Sequence, residues 1–95
     1  MKVVWTRPAL RDLEAIGDFI ARDNPIAAAN IVTRVFDQLE LLAQQPHIGR
    51  MGRIKGTREF VVTDTPFIVA YRVRDDRVEV LAVFHGARLW PDRFN

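Results

Sequence analysis

The sequence predicts an α+β domain of order β-α-α-β-β-β, an antiparallel sheet with a helical hairpin packed on one face. Three observations carry this reading. Apolar residues recur at helical spacing from Leu10 to Ala43, with one break at Asn24-Pro25. Beyond Arg58 they alternate with a period of two, in runs separated by turn residues. The helical and strand patterns occupy separate halves of the chain, so the element types are segregated.

Lys2–Trp5 reads as a short first strand, β-branched and aromatic, before a break at Thr6-Arg7-Pro8. Thr6 or Arg7 sits at the cap of the first helix, and Pro8 suits its first turn, where an N–H has no helical partner. Leu10, Leu13, Ile16 (or Gly17) and Ile20 form its apolar stripe, with Asp12, Glu14 and Asp18 mainly off it. Acids early in a helix also complement its dipole. This helix ends near Asp23. Asn24-Pro25 is a cap followed by a first-turn proline and opens the second helix. Its stripe is Ala28, Val32, Val35, Phe36, Leu39, Leu42 and Ala43, widened by Ile31 and ended by Pro46. The short link makes the pair an antiparallel hairpin. Gly49, Gly52 and Gly56 punctuate a basic loop. A meander follows: strand Arg58–Val62, turn Thr63–Pro66, strand Phe67–Val73, turn Arg74–Arg77 and strand Val78–Phe84.

The 95 residues are expected to form one domain, 1–95, burying roughly 60–65% of the unfolded surface. No cysteine is present, which excludes disulfides and thiol chemistry. The two histidines, His47 and His85, are too few for a structural zinc site without cysteine. No metal or cofactor is implied. The N-terminus lacks an apolar signal region, and no apolar run approaches the ~20 residues that span a bilayer. A cytoplasmic protein with no membrane partner is expected.

Net charge is +2 but uneven: residues 1–48 carry five basic and six acidic side chains, and residues 49–95 nine and six. Arg50, Arg53, Lys55 and Arg58 fall in a stretch without an acid. Twelve of the fourteen basic residues are Arg, whose planar fork suits carboxylate and phosphate. The loop is either a solvated basic segment or a contact for an acidic partner, nucleic acid or protein.

Strand alternation assigns Phe67, Val69, Tyr71 and Val73, with Val78, Val80, Ala82 and Phe84, to the helix-packed face. The opposite face then carries Ile68, Ala70 and Arg72 with Glu79, Leu81, Val83 and His85. A free sheet face is normally more polar than this. An apolar centre of Ile68, Leu81 and Val83 rimmed by Arg72, Glu79 and His85 reads as a docking surface. A C-terminal segment folding back with Leu89, Trp90 and Phe94 explains the same pattern. The last strand runs into His85-Gly86-Ala87-Arg88 and then Trp90, polar and aromatic groups that strand packing does not need. His85 serves either a partner or the backbone at the strand end.

The chain resembles the ParE/RelE superfamily of toxins from bacterial type II toxin–antitoxin modules. The carriers are Ala9-Leu10-Arg11-Asp12-Leu13-Glu14-Ala15-Ile16, Asn24-Pro25 with its alanine cluster, and Pro46-His47-Ile48-Gly49-Arg50. They continue with Arg58-Glu59, Ile68-Val69-Ala70-Tyr71-Arg72-Val73 and Val83-Phe84-His85-Gly86-Ala87-Arg88. No piece is specific alone; their order at this length is. The resemblance implies the fold derived above, a cognate antitoxin, growth inhibition and plasmid stabilisation. An oligomer is expected only as the toxin–antitoxin complex.

Within the superfamily, RelE-like members cut mRNA on the ribosome and ParE-like members poison DNA gyrase. Cleavage by 2′-hydroxyl attack needs an activating group, a proton donor and cations for the phosphate. RelE-like nucleases resemble one another in placing an arginine in the middle strand, where this chain has Ile68, and in a lysine patch reduced here to Lys55. The His-Gly-Ala-Arg string resembles the ParE branch. The implied activity is therefore gyrase inhibition by binding, with no catalytic residues. Target contacts are then Arg50, Arg53, Lys55, Arg88 and Trp90, and antitoxin contacts Ile68, Arg72, Leu81, Val83 and His85. The alternative is a ribosome-dependent endoribonuclease using Arg58, Arg72, His85 and Arg88, since a near-neutral histidine can serve as acid or base. A second alternative is a non-toxic nucleic-acid-binding module, favoured by the basic loop and disfavoured by the low total charge.

Overall fold

The computed structural model describes residues 1–87. They form β1 (Lys2–Trp5), α1 (Arg7–Ala21), α2 (Pro25–Gln44), β2 (Arg50–Met51), β3 (Arg58–Val61), β4 (Phe67–Arg74) and β5 (Arg77–His85). No described helix is long and apolar enough to cross a membrane.

Thr6 is the cap of α1. Its hydroxyl accepts the Ala9 N–H at 3.4 Å and donates to the Val80 carbonyl at 2.7 Å, so one side chain starts the helix and ties it to the sheet. Asn24 caps α2 by accepting the Ala27 N–H at 3.0 Å. The stripes face inward through Ala9 and Leu13 on α1 and Ala28, Val35, Leu39 and Leu42 on α2. Leu10, predicted inside, is 44% exposed, because Ala9 takes the position that faces the core. Phe36 leaves the centre to pack its ring against Trp5 of β1, centroids 5.0 Å apart.

The sheet order is β1-β5-β4-β3-β2. β3 to β5 are antiparallel neighbours, as the meander predicts, and β2 adds antiparallel to β3. β1 instead pairs parallel with β5, making the sheet mixed. The helical hairpin acts as a long crossover and lets the last strand return beside the first in the same direction. Two residues of the predicted loop, Arg50 and Met51, pair with Glu59 and Arg58 as β2, a strand too short to show alternation.

The largest departure lies inside β5. Tyr71 pairs with Val80 but Ala70 pairs with Ala82, so Leu81 is the extra residue of a β-bulge. One extra residue exchanges the faces of everything after it. Val83 therefore joins Leu13, Val35, Leu39, Val69, Tyr71, Val78 and Val80 in the helix-packed core. Ala82 and Phe84 turn to the opposite face with Ile68 and Ala70. The alternation had assigned Ala82, Val83, Phe84 and His85 the other way round. At the β4–β5 turn, Asp75 and Asp76 both adopt positive φ, 53° and 58°, whose twist matches the hairpin strands.

Candidate functional site

The basic segment is pinned from beneath. The buried Tyr71 hydroxyl accepts the Gly49 N–H at 2.9 Å and donates to the Pro46 carbonyl at 2.8 Å. Arg58 donates to the carbonyls of His47 and Gly49 at 3.2 and 2.9 Å. A Cβ on Gly49 would stand 2.6 Å from the Tyr71 hydroxyl, so only glycine fits this approach. Burial pushes the Tyr71 phenol up, opposed by the Gly49 hydrogen bond and the Arg58 charge. Arg50 grips Glu59 Oε1 through Nη2 and Nε, at 2.9 and 3.1 Å, and Glu59 Oε2 accepts the Arg53 N–H at 3.3 Å. The segment is thus an ordered platform: Arg58 is committed to holding it, while Arg50, Arg53 and Lys55 remain exposed. His47 is exposed beside it.

Arg72 lies on the face turned away from the helices, its Nε 2.6 Å from Glu79 Oε1, with Arg74 Nε at 3.4 Å from the same oxygen. The Arg72 hydrogen bond holds the Glu79 carboxyl below the usual range. His85 sits at the other end of the hairpin, opposite Phe67, while Arg72 is opposite Glu79. The five-residue offset along β4 puts them about 16 Å apart at ~3.3 Å per residue. His85 stands edge-on to Phe67, centroids 5.8 Å apart, and its Nδ1 accepts the Ala87 N–H at 3.1 Å. Arg58 points to the loop at Gly49, Arg72 to Glu79 and His85 to Phe67. The three residues do not meet. Arg88 and Trp90 lie outside the described residues, as do Leu89 and Phe94.

The predicted docking set also divides. Ile68 and Arg72 remain on the face away from the helices, Leu81 forms the bulge, and Val83 and His85 line a groove on the helix side. That groove, about 830 Å³, runs between α1, the start of α2 and the adjoining ends of β4 and β5. Its apolar walls include Ile16, Phe19, Ile31 and Phe67, with Asp12 and His85 as polar members. Asp12 Oδ2 accepts the Val83 N–H at 3.0 Å and joins α1 to β5. Phe19, 69% exposed, had no role in the sequence reading. Its one-position offset from Ile20 was the available signal. Such a groove can take apolar side chains at helical spacing from a partner. Among the described residues no group of three His, Asp or Glu side chains could hold a metal ion.

The structure is thus a helical hairpin on a mixed sheet, with an apolar groove on one side and a basic platform on another. The family model described as ParE toxin of type II toxin–antitoxin system, parDE, matches residues 3–90. The chain belongs to that family, within the wider ParE/RelE superfamily. It is 47% identical over 90 residues to toxin Y4kP of Sinorhizobium fredii, covering 95% of this chain and 93% of that one. It is 39% identical over 88 residues to toxin RelE2 of Caulobacter vibrioides, covering 93% and 98%. Among solved structures, the chromosomal ParDE TA system from P. aeruginosa superposes with a TM-score of 0.82 at 27% identity, covering 90% of this chain and 95% of that one.

Proposed function

We propose that this toxin arrests growth by binding DNA gyrase and blocking supercoiling, and that a cognate antitoxin neutralises it. The observation that carries the reading is the separation of Arg72 from His85. Arg72 is paired to Glu79 at 2.6 Å, and the imidazole stands at the opposite end of the hairpin. General acid–base cleavage needs its groups within hydrogen-bond reach of one reacting centre. The middle strand offers Ile68 where a nuclease of this superfamily is expected to carry a cation. The platform of Arg50, Arg53 and Lys55 supplies target contacts, and the groove beside Phe19 and Val83 receives an apolar antitoxin helix. The partnership with an antitoxin is supported by the structural neighbour, which is a toxin–antitoxin complex.

The test is a paired assay on antitoxin-free protein: supercoiling of relaxed plasmid by gyrase, and the integrity of mRNA on translating ribosomes. Loss of supercoiling with intact mRNA is the expected result. Codon-associated cuts with normal supercoiling would overturn it in favour of the ribonuclease reading.

A further inference from the structure

The total charge of +2 conceals a polarised molecule. The helical hairpin, residues 7–44, carries four arginines and six acids. The sheet face turned away from it carries the opposite sign. Val3, Val73 and Val78 pack into the helix-side core, so by alternation their chain neighbours Lys2, Arg74 and Arg77 belong to the outer face. Register aligns these three as one row. Arg74 of β4 is opposite Arg77 of β5, and Lys2 of β1 is opposite Arg77 on its other side. All three are exposed. Arg72 lies on the same face in the next row, opposite Glu79.

Like charges directly opposite one another across strands destabilise a sheet. Glu79, the carboxylate beside the row, is already shared, with Arg72 Nε at 2.6 Å and Arg74 Nε at 3.4 Å. Among the described residues no carboxylate forms an ion pair with Lys2 or Arg77, the turn acids Asp75 and Asp76 included. An anion supplied from outside relieves the repulsion in such a row. The row crosses two interstrand steps, about 10 Å. Duplex DNA carries one phosphate charge per about 1.7 Å of its axis, so that span presents more anions than the row has cations. Single strands are held largely by bases stacked on aromatic rings. Among the described residues of these strands the aromatic on this face, Phe84, is only 8% exposed.

We propose that the outer sheet face, through Lys2, Arg72, Arg74 and Arg77, binds the phosphate backbone of duplex DNA without reading its sequence. The inference goes beyond the gyrase reading, whose contacts are on the β2–β3 platform at the other edge of the sheet, and holds whichever host target the toxin binds. It also explains how a chain of low total charge can hold a polyanion: the acids are gathered on the helical layer.

The test is fluorescence anisotropy of a labelled DNA duplex with the full-length, antitoxin-free protein, between about 50 and 200 mM salt. Binding that weakens steeply with salt is expected. Lys2→Ala with Arg74→Ala and Arg77→Ala should reduce the magnitude of the logarithmic salt slope by about 2.7, roughly 0.9 for each cation removed. Arg53→Ala with Lys55→Ala should leave that slope unchanged. If the triple variant does not fold, Arg77→Gln alone should reduce the slope by about 0.9. No binding at the lowest salt, or a slope that the sheet-face variants do not change, overturns the proposal. So does tighter binding of single-stranded RNA of the same length, or of polyglutamate, which would make a single strand or an acidic protein segment the occupant.

Discussion

Tyr71 fills the centre of the helix-packed core with a ring and spends its hydroxyl on two backbone groups of the Pro46–Gly49 turn. Tyr71→Phe keeps the ring and leaves the buried Gly49 N–H without that acceptor. The expected loss is about 1–3 kcal/mol, measured by urea unfolding, with the basic platform loosened as well. Glu79 gives a prediction in pH. Its carboxyl titrates lower in the fold than in the unfolded chain, chiefly through the Arg72 hydrogen bond. The resulting stability is complete above the ordinary glutamate value of about 4.3 and is lost as pH falls through the folded value. The stability gap between the native chain and Glu79→Gln should therefore shrink below about pH 4.3. A gap that stays constant down to the lowest pH measured would contradict the assignment.

At the scale of elements, the two helices and three main strands were legible because caps, prolines and periodicity agree: Asn24-Pro25 opens α2 where the cap geometry confirms it. The bulge was not legible. Val78 to Phe84 is almost continuously apolar, so no polar residue marks the change of face at Leu81. That one residue moved Val83 and His85, two of the five predicted docking residues, to the helix side and Phe84 away from it. The groove was missed because Ile16, Ile31 and Phe67 looked like ordinary packing residues; only the folded hairpin shows that they border open space. The β4–β5 turn offers a separate check. Asp75 and Asp76 hold a left-handed conformation that suits Asn-Gly better. Asp76→Gly should raise stability by about 1 kcal/mol, visible as a higher midpoint in thermal unfolding. A lower midpoint would show that the Asp76 side chain contributes more than its backbone strain costs.

At the scale of the molecule, the hairpin and sheet separate two surfaces. The groove between α1, α2 and β5 is apolar, and the β2–β3 platform is cationic. A helix-bearing antitoxin and a large target can thus address different parts of one small chain. Removing exposed charge from the platform should weaken target binding without unfolding the protein, since Arg53 and Lys55 extend from a segment held by Tyr71 and Arg58. Arg53→Ala with Lys55→Ala is expected to reduce growth arrest while leaving the urea midpoint within about 0.5 kcal/mol of the native value. The measurement that bears most directly on the central claim is a titration of gyrase supercoiling with the antitoxin-free toxin. An inhibitor that acts by binding abolishes supercoiling at a fixed ratio of toxin to gyrase, and addition of the antitoxin restores it. Undiminished supercoiling at a large excess of folded toxin would contradict the account.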